Sequence, residues 1–239
     1  MKSKLGLLLS IIPLSLTTCS AKSNNSCFGI YVNRNKEQVG LYLTRNLAVE
    51  KESIEIFNLP PIVEYTYSRL PDPYLLDSDE IWISDGIDSD NRMFFFNQTF
   101  YLQNKGVKVL RYILEVYFEE IDESIRKTLR IMLFHNRGSD EAHNYTVYAL
   151  INRAGNCYGS YDEYVAEPYD SISNPNPLLA QPFLNDDFAA RLDNHNFNPG
   201  DVDRYTFVMW LEGYDRDASI YSSASGIIKL GISIDVYEE

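Results

Sequence analysis

Three histidines, His135, His143 and His195, limit the chemistry open to this chain. None stands in a His-Glu-x-x-His arrangement, in which two imidazoles one helical turn apart face a single zinc ion. His135 and His143 bracket the polar stretch 136–142, a pattern that predicts loop histidines facing solvent. No Gly-x-Ser-x-Gly marks a strained nucleophile turn. No glycine-rich, phosphate-cradling loop is present either. Carboxylates are plentiful, but no pattern singles out a pair suited to glycoside hydrolysis. No catalytic residue can be named.

The densest acidic stretch, residues 77–90, is the one metal candidate. Asp85, Asp88 and Asp90 surround Gly86, and calcium favours carboxylates gathered on a turn. The spacing is not that of an EF-hand and the closing Glu is missing, so the stretch reads first as an exposed acidic loop. Calcium is the alternative, and no other cofactor is expected.

The cysteines carry a different chemistry. Residues 1–21 begin with Lys2 and Lys4. An apolar run over 5–16 and small, mostly polar residues to Ala21 follow. That is the order of a secretory signal, too short for an ordinary membrane span. Two cleavage readings stay open. Leu16-Thr17-Thr18-Cys19 resembles a lipobox that would place a lipid on Cys19, although Thr18 fits it poorly. Cleavage after Ala21 would release an unlipidated chain starting at Lys22. With Lys2 and Lys4 gone, net charge moves from −13 to −15. In the exported chain Cys27 and Cys157 could form a disulfide or stand as two unrelated thiols, since sequence separation says nothing of distance.

The composition excludes some functions. A net charge of −13 without a compensating basic patch repels nucleic acid and anionic lipid. No later segment reaches the roughly 18 apolar residues of a transmembrane helix. The 18 Tyr and 12 Phe favour half-buried sheet surfaces.

The elements that must position any site are mostly strands. Residues 22–26 read as a tether and 27–239 as one domain. Short apolar stretches at 29–32, 39–43, 53–57, 93–102, 109–118, 129–134, 145–151 and 204–211 alternate with turn signals. Asp122 is placed to cap a short helix through about 127, and a second short helix is expected near 185–192. Residues 155–200 otherwise read as loop, broken at Asn174-Pro175-Asn176-Pro177. The turn Asn198-Pro199-Gly200-Asp201 introduces strand 204–211. There Trp210 falls on the opposite face from Phe207, Met209 and Leu211, predicting a second apolar surface or a sheet edge. Residues 226–237 alternate strictly, with Ile228, Leu230, Ile232, Ile234 and Val236 inward and Lys229, Ser233 and Asp235 outward. Many short strands, few helices and no βαβ rhythm predict an all-β fold: a jelly-roll or Ig-like antiparallel β-sandwich with one or two short helices.

The block Trp210-Leu211-Glu212-Gly213-Tyr214-Asp215 resembles the Trp-Leu/Ile-Glu-Gly-x-Asp segment of camelysin/TasA-like exported bacterial surface and matrix proteins. Thr99–Gly106 is similar to that group's strand ending in an Asn-x-Gly turn. Residues 121–132 resemble its short helix and following strand, and 226–236 its last strand. The resemblance covers about the C-terminal half in scattered blocks, and only Trp210, Leu211, Glu212, Gly213 and Asp215 are specific. It implies a two-sheet sandwich at the cell surface or in extracellular matrix. It also implies self-assembly or contact with other surface components as partners, in some members by passing an N-terminal strand to a neighbour. A lipid on Cys19 would tether such a strand. The membrane enters only through that lipid, and nucleic acid not at all. The expected function is therefore a non-enzymatic exported surface or matrix protein. The alternatives are a secreted hydrolase, protease or glycosidase, and a carbohydrate- or calcium-binding surface module.

Overall fold

The computed structural model describes residues 27–32, 40–44, 55–58, 95–137, 145–150, 180–211 and 227–239. Among them the chain forms eleven strands and one short helix. These are β1 (Cys27–Val32), β2 (Leu41–Thr44), β3 (Glu55–Asn58), β4 (Phe95–Asn104), β5 (Leu110–Ile121), α1 (Glu123–Thr128), β6 (Leu129–Arg137), β7 (Tyr145–Ala149), β8 (Ala180–Pro182), β9 (Phe188–Phe197), β10 (Val202–Leu211) and β11 (Ile228–Glu238). A five-stranded sheet runs β3-β1-β11-β5-β9 and a six-stranded sheet β2-β4-β10-β6-β7-β8. The fold is all-β, a sandwich, with one short helix among the described residues.

Two pairings are parallel, β1 with β11 and β7 with β8, and the rest are antiparallel. A parallel pair needs a long connection. β1 and β11 lie far apart along the chain, and residues 150–179 separate β7 from β8, so neither pair is constrained by a hairpin turn.

The core lies between the sheets, as alternation requires. From the five-stranded sheet come Leu110, Tyr112, Leu114 and Val116 of β5 and Ile228, Leu230, Ile232 and Ile234 of β11. Phe96, Phe100 and Leu102 of β4, Ile131 and Leu133 of β6, and Phe207, Met209 and Leu211 of β10 meet them. A second apolar cluster gathers Phe95, Met132, Phe134, Val147, Val208 and Trp210, residues of alternate parity on the six-stranded sheet. Trp210 is fully buried there. The six-stranded sheet therefore carries apolar clusters on both faces, and Trp210 does cover a second apolar surface.

Three local expectations are corrected. Residues 188–197 form strand β9 instead of the helix expected near 185–192. Asn185 does accept backbone N–H bonds, from Asp187 at 2.8 Å and Phe188 at 2.9 Å, but these close the turn into a strand. Asp122 stands at the N-cap of α1 without a side-chain cap bond; its Oδ2 instead accepts the Ile227 N–H at 2.7 Å. Lys229, expected outside, is buried. A register shift beside Leu230 leaves Glu119 unopposed on β5, and Lys229 Nζ reaches Glu120 Oε2 at 2.5 Å.

One end of the sandwich is closed by Asn104, fully buried at the end of β4. Its Nδ2 donates to the carbonyls of Lys108 (2.9 Å) and Phe197 (2.7 Å), and its Oδ1 accepts from the Gly106 N–H at 3.0 Å. Its backbone carbonyl accepts from Gly200 at 2.7 Å. Gly200 lies at φ 91, a left-handed turn conformation that favours glycine. The β4–β5 and β9–β10 turns are thus tied together at the end that carries the polar cluster below.

Candidate functional site

The charged and aromatic groups that the fold brings together lie between the sheets at this closed end. On β10, Asp203 and Tyr205 continue the inward face of Phe207, Met209 and Leu211. On neighbouring β6, His135 and Arg137 continue the inward face of Ile131 and Leu133. Register sets Asp203 beside Arg137 and Tyr205 beside His135. The opposite sheet supplies Tyr112 from β5 and Asn194 from β9, which are also register neighbours. Two adjacent pairs, one per sheet, therefore meet across the core.

Asp203 is the hub and is wholly buried. Its Oδ1 accepts from Arg137 Nε at 2.9 Å, and its Oδ2 from Arg137 Nη2 at 3.2 Å. Tyr112 OH donates to Oδ2 as well. His135 places Nε2 3.3 Å from Oδ2, an ion-pair distance, with its ring stacked on Tyr205 at 4.5 Å between centroids. The phenols of Tyr112 and Tyr205 are 2.7 Å apart, and Asn194 Nδ2 donates to Tyr205 OH at 3.1 Å. The remaining Arg137 donor, Nη1, reaches the His195 carbonyl at 3.1 Å, and its guanidinium sits 5.7 Å over the Phe197 ring.

The electrostatics follow from this geometry. Burial alone would push the Asp203 carboxyl up, but His135, Arg137 and Tyr112 outweigh it and hold the group below the usual carboxylate value. Burial, then the proximity of Tyr205 and Asp203, push the Tyr112 phenol well up. Burial does the same to Tyr205. The cluster is thus one anion among neutral phenols and an arginine, with its donors and acceptors aimed at one another. What such an arrangement does is join two sheets through polar contacts, with His135 Nε2 approaching Asp203 but making no hydrogen bond.

A second charged group lies outside the cluster, on the exposed end of the five-stranded sheet. Arg111 pairs with Asp193 at 2.5 Å. His195 Nδ1 contacts Glu239 Oε1 at 2.6 Å, and its Nε2 lies 3.3 Å from Asp193 Oδ1. Hydrogen bonding to Arg111 lowers the Asp193 carboxyl, and bonding to His195 lowers Glu239. These carboxylates are engaged by side chains of the same chain, Arg111 and His195. Among the described residues, no group of three or more His, Cys, Asp or Glu side chains is arranged to hold a metal. No helix among them is long and apolar enough to cross a membrane.

Compared with family models, with curated proteins and with solved structures, the chain matches none.

The residues singled out in the sequence fall as follows. Trp210 and Leu211 end β10, buried on opposite faces of its sheet. Cys27 begins β1, beside Asn58 and Lys229 in register. Asp85, Asp88, Asp90, Cys19, Cys157, His143, Glu212, Gly213 and Asp215 lie outside the described residues, as do the leader 1–21 and the tether 22–26. His135 is corrected: it is not a solvated loop residue but a β6 residue facing Asp203, because β6 runs on to Arg137. Asp203 belongs to no motif in the sequence. Its signal was its parity, an acid in step with Tyr205, Phe207, Met209 and Leu211 on the apolar side of a strand.

Proposed function

We propose that this chain is a non-enzymatic exported protein of the cell surface or extracellular matrix, built on a TasA/camelysin-like sandwich. It is held at the envelope by a lipid on Cys19 or released after Ala21. The observation that carries the reading is how the sandwich uses its reactive groups. Asp203, Arg137, Tyr112 and Tyr205 bond one another across the two sheets, which suits a durable scaffold. Asp193 and Glu239 are likewise bonded within the chain. The Trp210-Leu211-Glu212-Gly213 block, the two-sheet architecture and the signal-like residues 1–21 support the same reading.

The deciding experiment is intact mass spectrometry of the protein recovered from fractionated cells of its native host. A chain in the envelope fraction carrying diacylglycerol on Cys19 supports the anchored form. A chain in the medium or matrix starting at Lys22 supports the released form. A full-length chain that keeps Met1 and stays in the cytoplasm would overturn the proposal.

A further inference from the structure

The outer edge of the five-stranded sheet carries an inference that goes beyond surface residence. We propose that β9 is a self-recognition edge, through which two copies of this chain pair antiparallel over residues 190–194 about a twofold axis at Leu192.

β9 is the terminal strand of its sheet, and among the described residues no strand pairs with its far side. Such an edge presents backbone donors and acceptors to another chain. Regular pairing with β5 covers only Tyr112–Val116 against Asn194–Ala190. Register shifts end the regular stretch on both sides, with Asn196 at φ 56 beyond one of them. The bulges that discourage edge pairing elsewhere therefore frame one straight window of five residues, and Leu192 is its centre.

The side chains in that window are self-complementary. Ala190 and Asn194 are buried, Leu192 is half-buried against the core, and Arg191 and Asp193 point outward. A twofold at Leu192 sets Arg191 opposite Asp193 of the second copy, twice, and Leu192 opposite Leu192. Each new pair would join existing ones, Arg191 with Glu115 at 3.2 Å and Asp193 with Arg111 at 2.5 Å. The outer face would then carry Glu115, Arg191, Asp193 and Arg111 in alternating sign across four strands of two copies. Opposite charges across strands favour a pairing and like charges oppose it. A twofold at residue 191 would oppose two arginines, and one at 193 two aspartates, so charge also fixes the register.

An isologous contact of this kind closes on itself as a dimer. Five residues per copy bury less than the roughly 1,000 Å² of a stable interface. The association is therefore weak and suited to chains crowded on a surface. The inference rests on β9 alone. The cellular location of the chain does not enter its test, so the two proposals can fail separately.

The test is sedimentation velocity on the mature chain across a concentration series. The native chain is expected to shift from monomer to dimer and stop there. Arg191→Asp and Asp193→Arg chains are each expected to keep the native circular dichroism and remain monomeric. Mixing the two variants should restore the dimer, because one then presents only negative and the other only positive charge at the paired positions. A native chain monomeric up to its solubility limit, single variants that dimerise like the native chain, or a mixture that stays monomeric would each overturn the proposal. If the charge variants fail to fold, a Leu192→Cys chain decides. Mild oxidation should convert it to a covalent dimer well beyond the background that Cys27 and Cys157 give in the native chain, and absence of that excess refutes the twofold.

Discussion

The two sheets of this sandwich treat their outer faces differently. On the five-stranded sheet the outward positions of β5 and β11 include Arg111, Glu115, Tyr117, Ser233 and Asp235, all partly exposed, beside the buried Ile113, Lys229 and Gly231. Arg111 and Glu115 are engaged by ion pairs from β9. On the six-stranded sheet the corresponding positions include Phe95, Met132, Phe134, Val208 and Trp210, all buried, with the buried polar Asn97, Arg130, Asn136 and Thr206 among them. A sheet with one wet face writes its alternation into the sequence, whereas one buried on both faces reads as nearly continuous apolar runs. The six-stranded sheet is thus buried on both faces along its central strands, whereas the five-stranded sheet keeps a partly wet outer face. The charge placed inside at Asp203 is bonded by Arg137 and Tyr112, while the charges of the wet face stand in exposed pairs.

The contrast would be broken most directly at Trp210. Truncation to Ala is expected to destabilise the fold by about 3–5 kcal/mol, the cost of removing a large buried aromatic side chain. Tyr237→Ala on β11, where the side chain is largely exposed, should change stability by within about 0.5 kcal/mol. Urea unfolding of both variants checks the difference. Equal midpoints would mean that the outer face of the six-stranded sheet is not a core.

Asp203 should produce an effect of similar size by another route. Asp203→Asn removes the anion while Arg137 stays beside it, and breaking a buried charge cluster in this way costs about 3–5 kcal/mol. The pH dependence sharpens the point. The folded carboxyl is held below the ordinary value of 3.8, so in that range the unfolded chain binds more protons. Stability from this group is therefore fully present above pH 3.8 and is lost as pH falls through the folded value. Acid unfolding followed by tryptophan fluorescence should show a shallower acid limb in Asp203→Asn than in the native chain, at a lower overall stability. An unchanged acid limb would show that Asp203 does not govern it.

A smaller effect is expected at Gly231 on β11. A Cβ there would lie 2.3 Å from Cζ of Tyr117 on neighbouring β5, so the ring covers the gap that the glycine leaves. Tyr117 is half-buried on the wet face and its ring can swing outward, so Gly231→Ala should cost about 1 kcal/mol, at the low end for overpacking. In a Tyr117→Ala background the same substitution should cost nothing further. A double-mutant cycle by thermal unfolding measures this, and additive costs would mean that the ring does not lie over Gly231.

How much of this was legible follows the same division. β11 could be read residue by residue because its two faces differ in polarity, except at Lys229, where a register shift invisible in the sequence turns the side chain into cover. Trp210 was legible by parity against Phe207, Met209 and Leu211. β9 was not: Asn185 followed by Phe188-Ala189-Ala190-Arg191-Leu192 combines a cap residue with good helix formers. Pairing with β5 overrode that local preference, and Asn185 closes a turn instead. Of the cluster, His135 and Arg137 were hidden because the strand runs on into residues that look like loop. Which histidine meets which carboxylate depends on strand order, β10 beside β6 and β5 across from them, which no local pattern contains. Asp203 alone carried a readable sign, an acid on an apolar face.

The smallest effect belongs to the wet face itself. Arg191 is about half exposed and pairs with Glu115 at 3.2 Å, and exposed pairs of this kind contribute within about 0.5 kcal/mol after solvent and salt screening. Arg191→Ala should leave the unfolding midpoint of the dilute monomer almost unchanged, in low and high salt alike. That outcome would separate the two uses of charge in this molecule: Asp203 holds the fold, whereas Arg191 is nearly neutral to it. A surface pattern that contributes little to folding and yet is symmetric in sign about Leu192 then needs an explanation outside the monomer, which the β9 edge supplies. A large loss of monomer stability in Arg191→Ala would remove that reasoning, because folding alone would then account for the charge pair.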